Sequence, residues 1–439
     1  MKPSVPAVIL LLTVFTSTSA ADVPNIVLVM VDDQGWGDMA YNGHPTLKTP
    51  NFDAAAAAGL RFDRFYASAP VCSPTRASVM TGRHPNRMGV FKWGYPIRPQ
   101  ETTIAEALRT AGYVTGHFGK WHLGSVRNTS PAHPGNNGFD EWLSAPNFFD
   151  NDAILSHKGK AVQTQGESSM VTVDAALGWI SKVAKGGQPF LAVVWFGTPH
   201  GPHRAIKQDL APYENQPANR KHFYGEITGM DRAFGKLRNA LDDFVIRENT
   251  LLWYSSDNGA LPRVGSTGGF RGQKGKVYEG GLLVPAILEW SSKITKPRTM
   301  KVRCNSSDIY PTLLEIAGVA TANQPRLDGI SLAGLIDGTV ESACRPPIGW
   351  PSCSKHKKQE VIWSLTKQAG GPPNSPSLVI RSAITLDTPL GSTVTGNSIG
   401  LPTTRVTLLG NSTTSPRIPL RKTISLNRRE NAWFDCATT

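Results

Sequence analysis

The sequence predicts an α/β fold in which a large, mixed and mostly parallel sheet is sandwiched by helices. Apolar segments rich in β-branched residues recur along the chain, and segments with helical periodicity lie between them. Strands that alternate with helices form parallel sheets through right-handed crossovers. In such sheets ligands bind beyond the carboxyl ends of the strands. Polar residues that directly follow a predicted strand are therefore the first candidates for a functional site.

Four segments have the composition of strands that are covered on both faces. Continuous apolar runs with β-branched residues are typical of buried parallel strands. These runs lie at Asn25–Val31, 113–118, 190–196 and 250–254. Helical patterns, several of them closed by glycine, lie at 52–59, 103–112, 170–184 and 223–244. Polar residues follow each strand, and we expect them to meet at one edge of the sheet.

The N-terminus has the pattern of a secretory signal peptide. Lys2 precedes the apolar run VILLLTVF, and the small residues Thr18, Ser19 and Ala20 follow it. This pattern predicts a signal peptide over residues 1–20 with cleavage near Ala21. The run is too short to span a bilayer, and no later stretch reaches about 18 apolar residues. We therefore expect an exported protein, periplasmic or secreted, without a membrane anchor; in a eukaryote the destination would be a lysosomal-type compartment.

Charge and length narrow the class of partner. The chain has 439 residues and a formal net charge of +13 at pH 7, which favours anionic partners. It has no zinc-finger spacing, RNP motif or arginine-rich arm, so we expect no nucleic acid partner. An exported enzyme that acts on anionic small molecules or glycans fits this composition better.

The last part of the chain differs from the rest. Residues 366–439 are rich in Ser, Thr, Pro and Leu and show neither a sustained helical period nor strand alternation. Such a segment buries little apolar surface to offset its loss of conformational entropy. We expect a catalytic domain over residues 21–365, followed by an atypical C-terminal tail that is poorly ordered or loosely attached.

One of the five cysteines lies in the segment PVCSPTRASVMTG. Ser73 is predicted to cap a helix, Pro74 to be its first residue and Gly82 to lie just past its end. Side chains on a helix lean toward its N-terminus, so Arg76 should be aimed back at Cys72, at the positive end of the helix dipole. The pattern predicts a site for negative charge. The alternative is that this cysteine is a small buried hydrophobic residue.

The other four cysteines could form disulfides in an oxidising compartment. They are Cys304, Cys344, Cys353 and Cys436. Three connectivities remain open, of which the one with Cys344 bonded to Cys353 is the most local. None of the spacings resembles a zinc site.

Two pairs of oxygen-bearing residues follow predicted strands, Asp32 with Asp33 and Asp257 with Asn258. Adjacent carboxylates repel each other unless a cation lies between them. Four hard oxygen donors suit Ca²⁺ or Mg²⁺ and suit a soft metal poorly. A helix cap or a loop pair is the alternative. Because both pairs end strands at the same edge, we expect a divalent cation site.

The residues CSPTR at 72–76, followed by Thr81 and Gly82, resemble the signature of the formylglycine-dependent sulfatases, in the alkaline phosphatase-like superfamily. The resemblance continues through VDDQGWGD, GKWHLG, TPHGPH, SSDNG and GFRGQKGKVYEGG, and covers about residues 24–365. It implies an alkaline phosphatase-like fold and hydrolysis of the sulfate monoesters of aryl alcohols or carbohydrates. It also implies that a formylglycine-generating or sulfatase-maturing enzyme oxidises Cys72 to Cα-formylglycine during export.

The resemblance further implies roles for the matching residues. The hydrated aldehyde at position 72 would attack sulfur with help from Arg76, and His122 would deprotonate its second hydroxyl to release sulfate. His200 and Lys274 would contact the sulfate and the leaving oxygen, with His200 as the proton donor. Lys120, two residues before His122, is a further catalytic candidate that reaches the site if the strand has ended before it. One divalent cation, Ca²⁺ in preference to Mg²⁺, would be held by Asp32, Asp33, Cys72, Asp257 and Asn258. His203 lies in TPHGPH and is a further candidate for substrate contact.

Two other functions are compatible with these residues. A phosphate or phosphonate monoester hydrolase on the same fold would also use a metal-supported nucleophile. Such enzymes generally use Ser or Thr and two metals, and the extra His and Asp ligands are missing from this sequence. An inactive, secreted glycan-binding relic is the second alternative, because the small C-terminal subdomain usual in the family is not recognisable after Trp363. Substrate specificity is expected to lie in the loops at 91–99 and 134–152.

Overall fold

A computed structural model describes residues 23–321 and 324–340, together with the backbone of residues 361–364 and 381–384. The chain divides into two units, Met1–Pro351 and Ser352–Thr439. The predicted signal peptide lies outside the described residues, as do Cys344, Cys353, Cys436 and the predicted tail apart from residues 381–384. In the second unit an antiparallel pair is described, formed by the strands Val361–Ser364 and Arg381–Ile384.

A single mixed sheet joins the strands described in the first unit. In chain order they are β1 Asn25–Val31, β2 Leu60–Tyr66, β3 Val114–Lys120, β4 Glu141–Ala145, β5 Ile154–His157, β6 Lys160–Gln163, β7 Phe190–Trp195, β8 Thr250–Ser256, β9 Leu283–Glu289, β10 Arg298–Met300 and β11 Cys304–Asn305. Their spatial order is β10-β2-β9-β8-β1-β7-β3-β4-β5-β6, and β11 pairs with β2.

The centre of the sheet is parallel and its flanks are mixed. Strands β8, β1, β7, β3 and β4 are neighbours and all run parallel. On one side β9 runs antiparallel to both β8 and β2, and on the other side β5 and β6 run antiparallel. The prediction of a mixed, mostly parallel sheet is confirmed, and the four predicted strands are β1, β3, β7 and β8.

The helices described are α1 Pro50–Ala58, α2 Cys72–Thr81, α3 Pro85–Met88, α4 Ile104–Arg109, α5 Ser168–Val183, α6 Lys207–Leu210, α7 Ala218–Asp243, α8 Glu279–Leu282, α9 Ile309–Ile316 and α10 Ala333–Ile336. The four predicted helices correspond to α1, α4, α5 and α7. The largest difference is at α7, which begins at Ala218 and not at residue 223. Its first turn is mostly exposed, so it carries no apolar period that the sequence could reveal.

The side chains of β1 alternate between two apolar cores, one on each face of the sheet. Ile26, Leu28 and Met30 join the core that contains apolar residues of α2, α4 and α9. Val27, Val29 and Val31 join the core that contains residues of α1, α5 and α7. The central strands are thereby shielded from water on both faces, as their continuous apolar runs predicted. Within the described part of the chain, no helix is both long enough and apolar enough to cross a membrane.

Candidate active site

The polar residues that follow β1, β3, β7 and β8 meet at one edge of the sheet, because these four strands run parallel. Asp32 and Asp33 follow β1, and Asp257 and Asn258 follow β8. Lys120 ends β3 with His122 just beyond it, and His200 lies five residues past the end of β7. Lys274, on the long segment between β8 and β9, reaches the same place through Asp33. The structure thus brings together the site residues that the sequence singled out.

Helix α2 brings Cys72 and Arg76 to this edge, but its cap differs from the expectation. The residue before the first turn is Val71, in extended conformation and without a capping side chain. Ser73 is therefore not the N-cap; it lies inside the first turn, where its Oγ accepts a hydrogen bond from the Gly94 amide at 2.9 Å. The helix ends as expected at Gly82, whose φ of 68° is left-handed.

Asp32, Asp33, Cys72 and Asp257 each offer one ligand atom, and these atoms all lie within 4.8 Å of one another. All four side chains are buried. Asn258 joins them by donating from Nδ2 to Asp33 Oδ1 at 2.8 Å. Its own Oδ1 and Asp32 Oδ1 are buried without a hydrogen-bond partner among the described residues. Three carboxylates and an amide that together leave two buried oxygens without a partner in the described chain fit a divalent cation that prefers oxygen ligands.

Each of the three carboxylates has a cationic partner. Arg76 donates from Nε to Asp257 Oδ2 at 2.9 Å, and its Nη2 lies 2.8 Å from the same oxygen. Lys120 Nζ donates to Asp32 Oδ2, and Lys274 Nζ donates to Asp33 Oδ2 at 2.6 Å. These pairs balance the carboxylates one for one and hold three cationic groups around Cys72.

Arg76 is also held by Trp195, the last residue of β7. The guanidinium carbon lies 5.0 Å from the centroid of the Trp195 ring, and both side chains are fully buried. A buried cation–π contact of this kind restrains the guanidinium on the face that its hydrogen bonds leave open. Trp195 carries no signal in the sequence that marks it for this role, since an aromatic residue at a strand end is usual in a core.

The histidines predicted for proton transfer differ in exposure. His200 Nδ1 lies 2.6 Å from the carbonyl oxygen of Gly201, to which it donates, so Nε2 is the nitrogen that can gain or lose a proton. Nε2 faces Asp33 Oδ2 at 3.6 Å, and the ring stacks on Phe148 at 4.1 Å between centroids. His122 is buried, and neither ring nitrogen has a hydrogen-bond partner in the described residues.

His203, the further candidate, is already paired. Its Nδ1 lies 2.8 Å from Glu226 Oε2, and the backbone amide of Arg204 donates to the other oxygen of that carboxylate at 2.7 Å. The contact accounts for a histidine at this position without a substrate. It fixes the segment that follows His200 against α7.

The electrostatics of the site oppose a thiolate and keep His122 neutral. Burial raises the pKa of the Cys72 thiol well above its ordinary value, and the Asp32 and Asp257 carboxylates raise it further. Burial also lowers the pKa of His122 to about 3, with Lys120 contributing in the same direction. At neutral pH the site therefore holds a protonated Cys72 thiol and a neutral His122 imidazole.

The pKa values of the two carboxylates nearest Arg76 are shifted in opposite directions. Burial raises the pKa of Asp257 to about 7, and the neighbouring Asp32 carboxylate adds to the rise while Arg76 opposes it. Burial acts in the same sense on Asp32, but Lys120 and Arg76 outweigh it and hold the pKa of Asp32 below its ordinary value. Burial thus disfavours the negative charge of Asp257 more than its pairing with Arg76 favours it, which is the reverse of the balance at Asp32.

Asp38 is a structural residue of the site that the sequence analysis passed over, although it ends the quoted segment VDDQGWGD. Its two carboxylate oxygens accept hydrogen bonds from the Gly35 amide at 2.9 Å and from the Ser266 amide at 2.7 Å. It therefore joins the turn after Asp33 to the segment that leads to Lys274. Burial raises the pKa of Asp38 to about 8.

Comparison with known proteins gives the family. The Sulfatase family model matches residues 24–319. The chain is 33% identical over 383 residues to arylsulfatase A of Homo sapiens, covering 78% of this chain and 73% of that protein. It is 32% identical over 360 residues to N-acetylgalactosamine-6-sulfatase of Canis lupus familiaris, covering 72% of this chain. The chain spans 66% of the length of that enzyme, slightly less than two thirds.

A solved structure agrees with these relatives. The crystal structure of Ps i-CgsB in complex with k-i-k-neocarrahexaose superposes with a TM-score of 0.69 at 25% identity, covering 83% of this chain and 82% of that one. The alkaline phosphatase-like fold implied by the sequence resemblance is confirmed. Because the family model spans the central sheet and every residue from Asp32 to Lys274, the chain belongs to the sulfatase family.

Proposed function

We propose that this protein hydrolyses sulfate monoesters of carbohydrates or aryl alcohols and releases inorganic sulfate. The observation that carries the proposal is the position of Cys72, which begins α2 among three carboxylates and three cationic side chains. In this proposal the protein is exported, and a maturing enzyme converts Cys72 to Cα-formylglycine. The sulfated substrate and the maturing enzyme are its partners.

The surroundings of Cys72 support the conversion. A thiol that acts as a nucleophile is placed where its pKa is lowered, beside a cation or a base. Here the thiol is buried beside Asp32 and Asp257, which raise its pKa. The hydrate of formylglycine supplies two hydroxyl groups on one carbon, one to attack sulfur and one whose deprotonation lets sulfate leave.

A single divalent cation fits the group of Asp32, Asp33, residue 72, Asp257 and Asn258, here called the oxygen cluster, and Ca²⁺ is favoured over Mg²⁺. Its ligands would be Asp32, Asp33, Asp257 and Asn258, with an oxygen of the modified residue 72. The support is the hard oxygens that three carboxylates offer beside residue 72, together with the two buried oxygens that lack a partner among the described residues. When bound, the cation supplies positive charge that favours the ionised form of an attacking hydroxyl.

The side chains of the site are suited to an anionic ester. The carboxylates and cations of the protein balance each other, so the charge of a bound cation would leave the site positive toward a sulfate group. Lys120 and Lys274 would contact the sulfate oxygens, and Arg76 would stabilise the attacking oxygen. His200, which is 23% exposed at the mouth of the site, would protonate the leaving alcohol through Nε2. The neutral His122 would accept the proton when sulfate is released.

Two measurements on one preparation test the proposal. The peptide that contains residue 72 should be lighter than the cysteine form by mass spectrometry, because sulfur has been replaced by the aldehyde oxygen. The same protein should hydrolyse nitrophenyl sulfate faster than nitrophenyl phosphate. A preference for the phosphate ester would support the phosphate or phosphonate hydrolase instead. Converted protein that hydrolyses neither ester nor any sulfated sugar would support the glycan-binding relic.

A further inference from the structure

The segment 91–97, here called the aromatic loop, exposes large rings beside the candidate site. Phe91 is 59% exposed, Trp93 65% and Tyr95 37%. The rings of Phe91 and Tyr95 meet edge to face at 6.1 Å, and Lys92 Nζ lies 5.8 Å from the centroid of Tyr95. Large exposed apolar groups that cluster in a short segment mark a binding surface. Nothing in the proposed chemistry at sulfur uses them.

Two hydrogen bonds from backbone amides fix the aromatic loop to the segments of the site. The Gly94 amide donates to Ser73 Oγ at 2.9 Å, and Ser73 is the neighbour of Cys72. The Ile97 amide donates to the Leu123 carbonyl at 2.9 Å, and Leu123 is the neighbour of His122. The loop is thereby attached at two points to the segments that carry the reacting groups.

A cavity of about 960 Å³ is lined by part of the aromatic loop and by the chain neighbours of two site residues, Val71 before Cys72 and Gly275 after Lys274. Its lining includes Val71 and Pro74 from the α2 segment, Phe91 and Trp93 from the aromatic loop, and Gly275 and Val277 just past Lys274. This volume is at the upper end of the range for small-molecule sites. It therefore has room for more than the one ring that carries an ester.

The walls of the cavity combine aromatic faces with polar groups. Lys92, Arg303, Asn86 and Asn305 line it beside the rings. Glu279, which also lines it, accepts a hydrogen bond from the Tyr66 hydroxyl at 2.8 Å. A sugar ring has an apolar face of C–H groups and an edge of hydroxyls, and it can satisfy both kinds of wall. A plain aryl group would contact the aromatic faces alone and would make no use of these polar groups.

We propose that this cavity is a carbohydrate subsite in which a sugar ring stacks on Trp93 and an anionic substituent of the glycan pairs with Lys92. The inference rests on the proposed function and narrows its substrate to a sulfated oligosaccharide with a second acidic group. Trp93 is then a specificity-determining residue, and small aryl sulfates occupy only the part of the site next to residue 72.

Binding measured without turnover tests the subsite. The background is the full chain with Cys72→Ala, and the probes are galactose-, N-acetylgalactosamine- and glucosamine-based oligosaccharides with two sulfates, titrated by calorimetry. At least one probe should bind more tightly than nitrophenyl sulfate. Adding Trp93→Ala should weaken that binding about tenfold or more, as truncation of a central aromatic anchor does. Trp93→Phe, which keeps a ring, should cost less than about threefold.

A matched control and a second arm complete the experiment. Val245 is 90% exposed between α7 and β8, at the opposite edge of the sheet from the site, so Val245→Ala should leave binding unchanged. Lys92→Gln should weaken binding of the disulfated probe about two- to fivefold, as expected for an exposed ion pair, and should not affect the same glycan with one sulfate. Equal binding with and without Trp93→Ala, both in the Cys72→Ala background, would overturn the subsite. A probe set that binds no better than nitrophenyl sulfate would overturn it as well.

The outcomes separate the subsite from the proposed function. Unaltered protein that hydrolyses nitrophenyl sulfate, with oligosaccharide binding that ignores Trp93, would refute the subsite alone. Oligosaccharide binding that depends on Trp93, in a protein that hydrolyses no sulfate ester, would refute the proposed function alone. A dimer in light scattering that Trp93→Ala converts to a monomer would assign the aromatic loop to a second copy of the chain and overturn the subsite.

Discussion

Cys72 occupies a position where a thiolate is strongly disfavoured. Burial and the nearby carboxylates of Asp32 and Asp257 all oppose a further negative charge. The cations that would normally activate a cysteine are already engaged, since Arg76 pairs with Asp257 and Lys120 with Asp32. An oxygen nucleophile whose charge is shared with a divalent cation fits this environment better than sulfur.

The variant Cys72→Ser tests whether two hydroxyl groups are needed at this position. A single hydroxyl can attack sulfur, but it has no second hydroxyl whose deprotonation would expel sulfate. We expect turnover of nitrophenyl sulfate to fall to background while covalently sulfated protein accumulates, measured by intact-protein mass. Cys72→Ala is the control, because it lacks any side-chain oxygen and should remain unsulfated and inactive. Wild-type turnover by either variant would refute the mechanism.

The raised pKa of Asp38 predicts that the stability of the fold depends on pH. Its pKa is about 8 in the folded protein, because of burial, against 3.8 as the ordinary value. A group whose pKa rises on folding stabilises the folded state most below its unfolded pKa, and this contribution is lost as pH rises through the folded pKa. As pH rises from 4 to 8, the titration of Asp38 should therefore lower the free energy of unfolding by up to about 1.4 kcal/mol for each pH unit.

Asp38→Asn removes this titration and keeps an oxygen for one of the two amides that Asp38 binds. We expect the variant to show a shallower fall in unfolding free energy than the unaltered protein as pH rises through this window, measured by urea denaturation. At pH 4 the variant should be less stable than the unaltered protein. There the Asp38 carboxyl is protonated and uncharged, while the Asn side chain offers one acceptor oxygen to the two amides. Parallel pH profiles for the two proteins would show that Asp38 does not titrate in this range.

Among the helices, Thr103 and Ser73 lie at or near the start of α4 and α2, but only Thr103 caps its helix. Thr103 caps α4 with a complete capping box, since Thr103 Oγ1 accepts from the Glu106 amide and the Glu106 carboxylate accepts from the Thr103 amide. Ser73 is inside α2 and serves the aromatic loop through Gly94. The same kind of side chain therefore stabilises a helix in one place and positions a loop in the other.

Thr103→Ala should lower the free energy of unfolding by about 1–2 kcal/mol, because it leaves the Glu106 amide of the first turn without its partner. The hydrogen bond from Thr103 Oγ1 to the Asn137 carbonyl at 2.8 Å is lost as well. Ser73→Ala should cost less stability, since α2 has no side-chain cap to lose. Urea denaturation of both variants gives the comparison, and a larger loss from Ser73→Ala would contradict the assignment of the caps.

At the scale of the whole molecule, the oxygen cluster ties distant parts of the chain together. Asp32 and Asp33 follow β1, Cys72 begins α2, and Asp257 follows β8. A ligand that binds only the folded state stabilises it by mass action. A cation held by this cluster would therefore stabilise the arrangement of the central sheet with α2, as well as serve the reaction.

Removal of the cation should lower both activity and stability. We expect EDTA to abolish hydrolysis of nitrophenyl sulfate and to lower the melting temperature by about 3–8 °C, with Ca²⁺ restoring both. Asp257→Ala should melt at the same temperature with or without EDTA, because its metal affinity is already lost. Metal analysis of active protein should find calcium, and a zinc stoichiometry would contradict the proposed site.

Local patterns in the sequence predicted the sheet and the members of its site. The apolar runs of β1, β3, β7 and β8 are legible because strands buried on both faces must be apolar at every position. The parallel arrangement then requires the residues after these strands to meet at one edge. The CSPTR segment identified α2 and Cys72 through a specific resemblance. The antiparallel β9, between β2 and β8, carries no comparable local signal of its partners.

Only the tertiary structure decided which groups touch. The pairing of Lys120 with Asp32 and of Lys274 with Asp33 joins residues 88 and 241 positions apart. The cation–π contact between Arg76 and Trp195 likewise joins α2 to β7, which are far apart in the chain. The sequence determined the family, the sheet and the residue types of the candidate site, because these depend on local composition and on the order of the motifs along the chain. Side-chain partners, pKa shifts and the position of the aromatic loop depend on packing between distant segments, which no local pattern encodes.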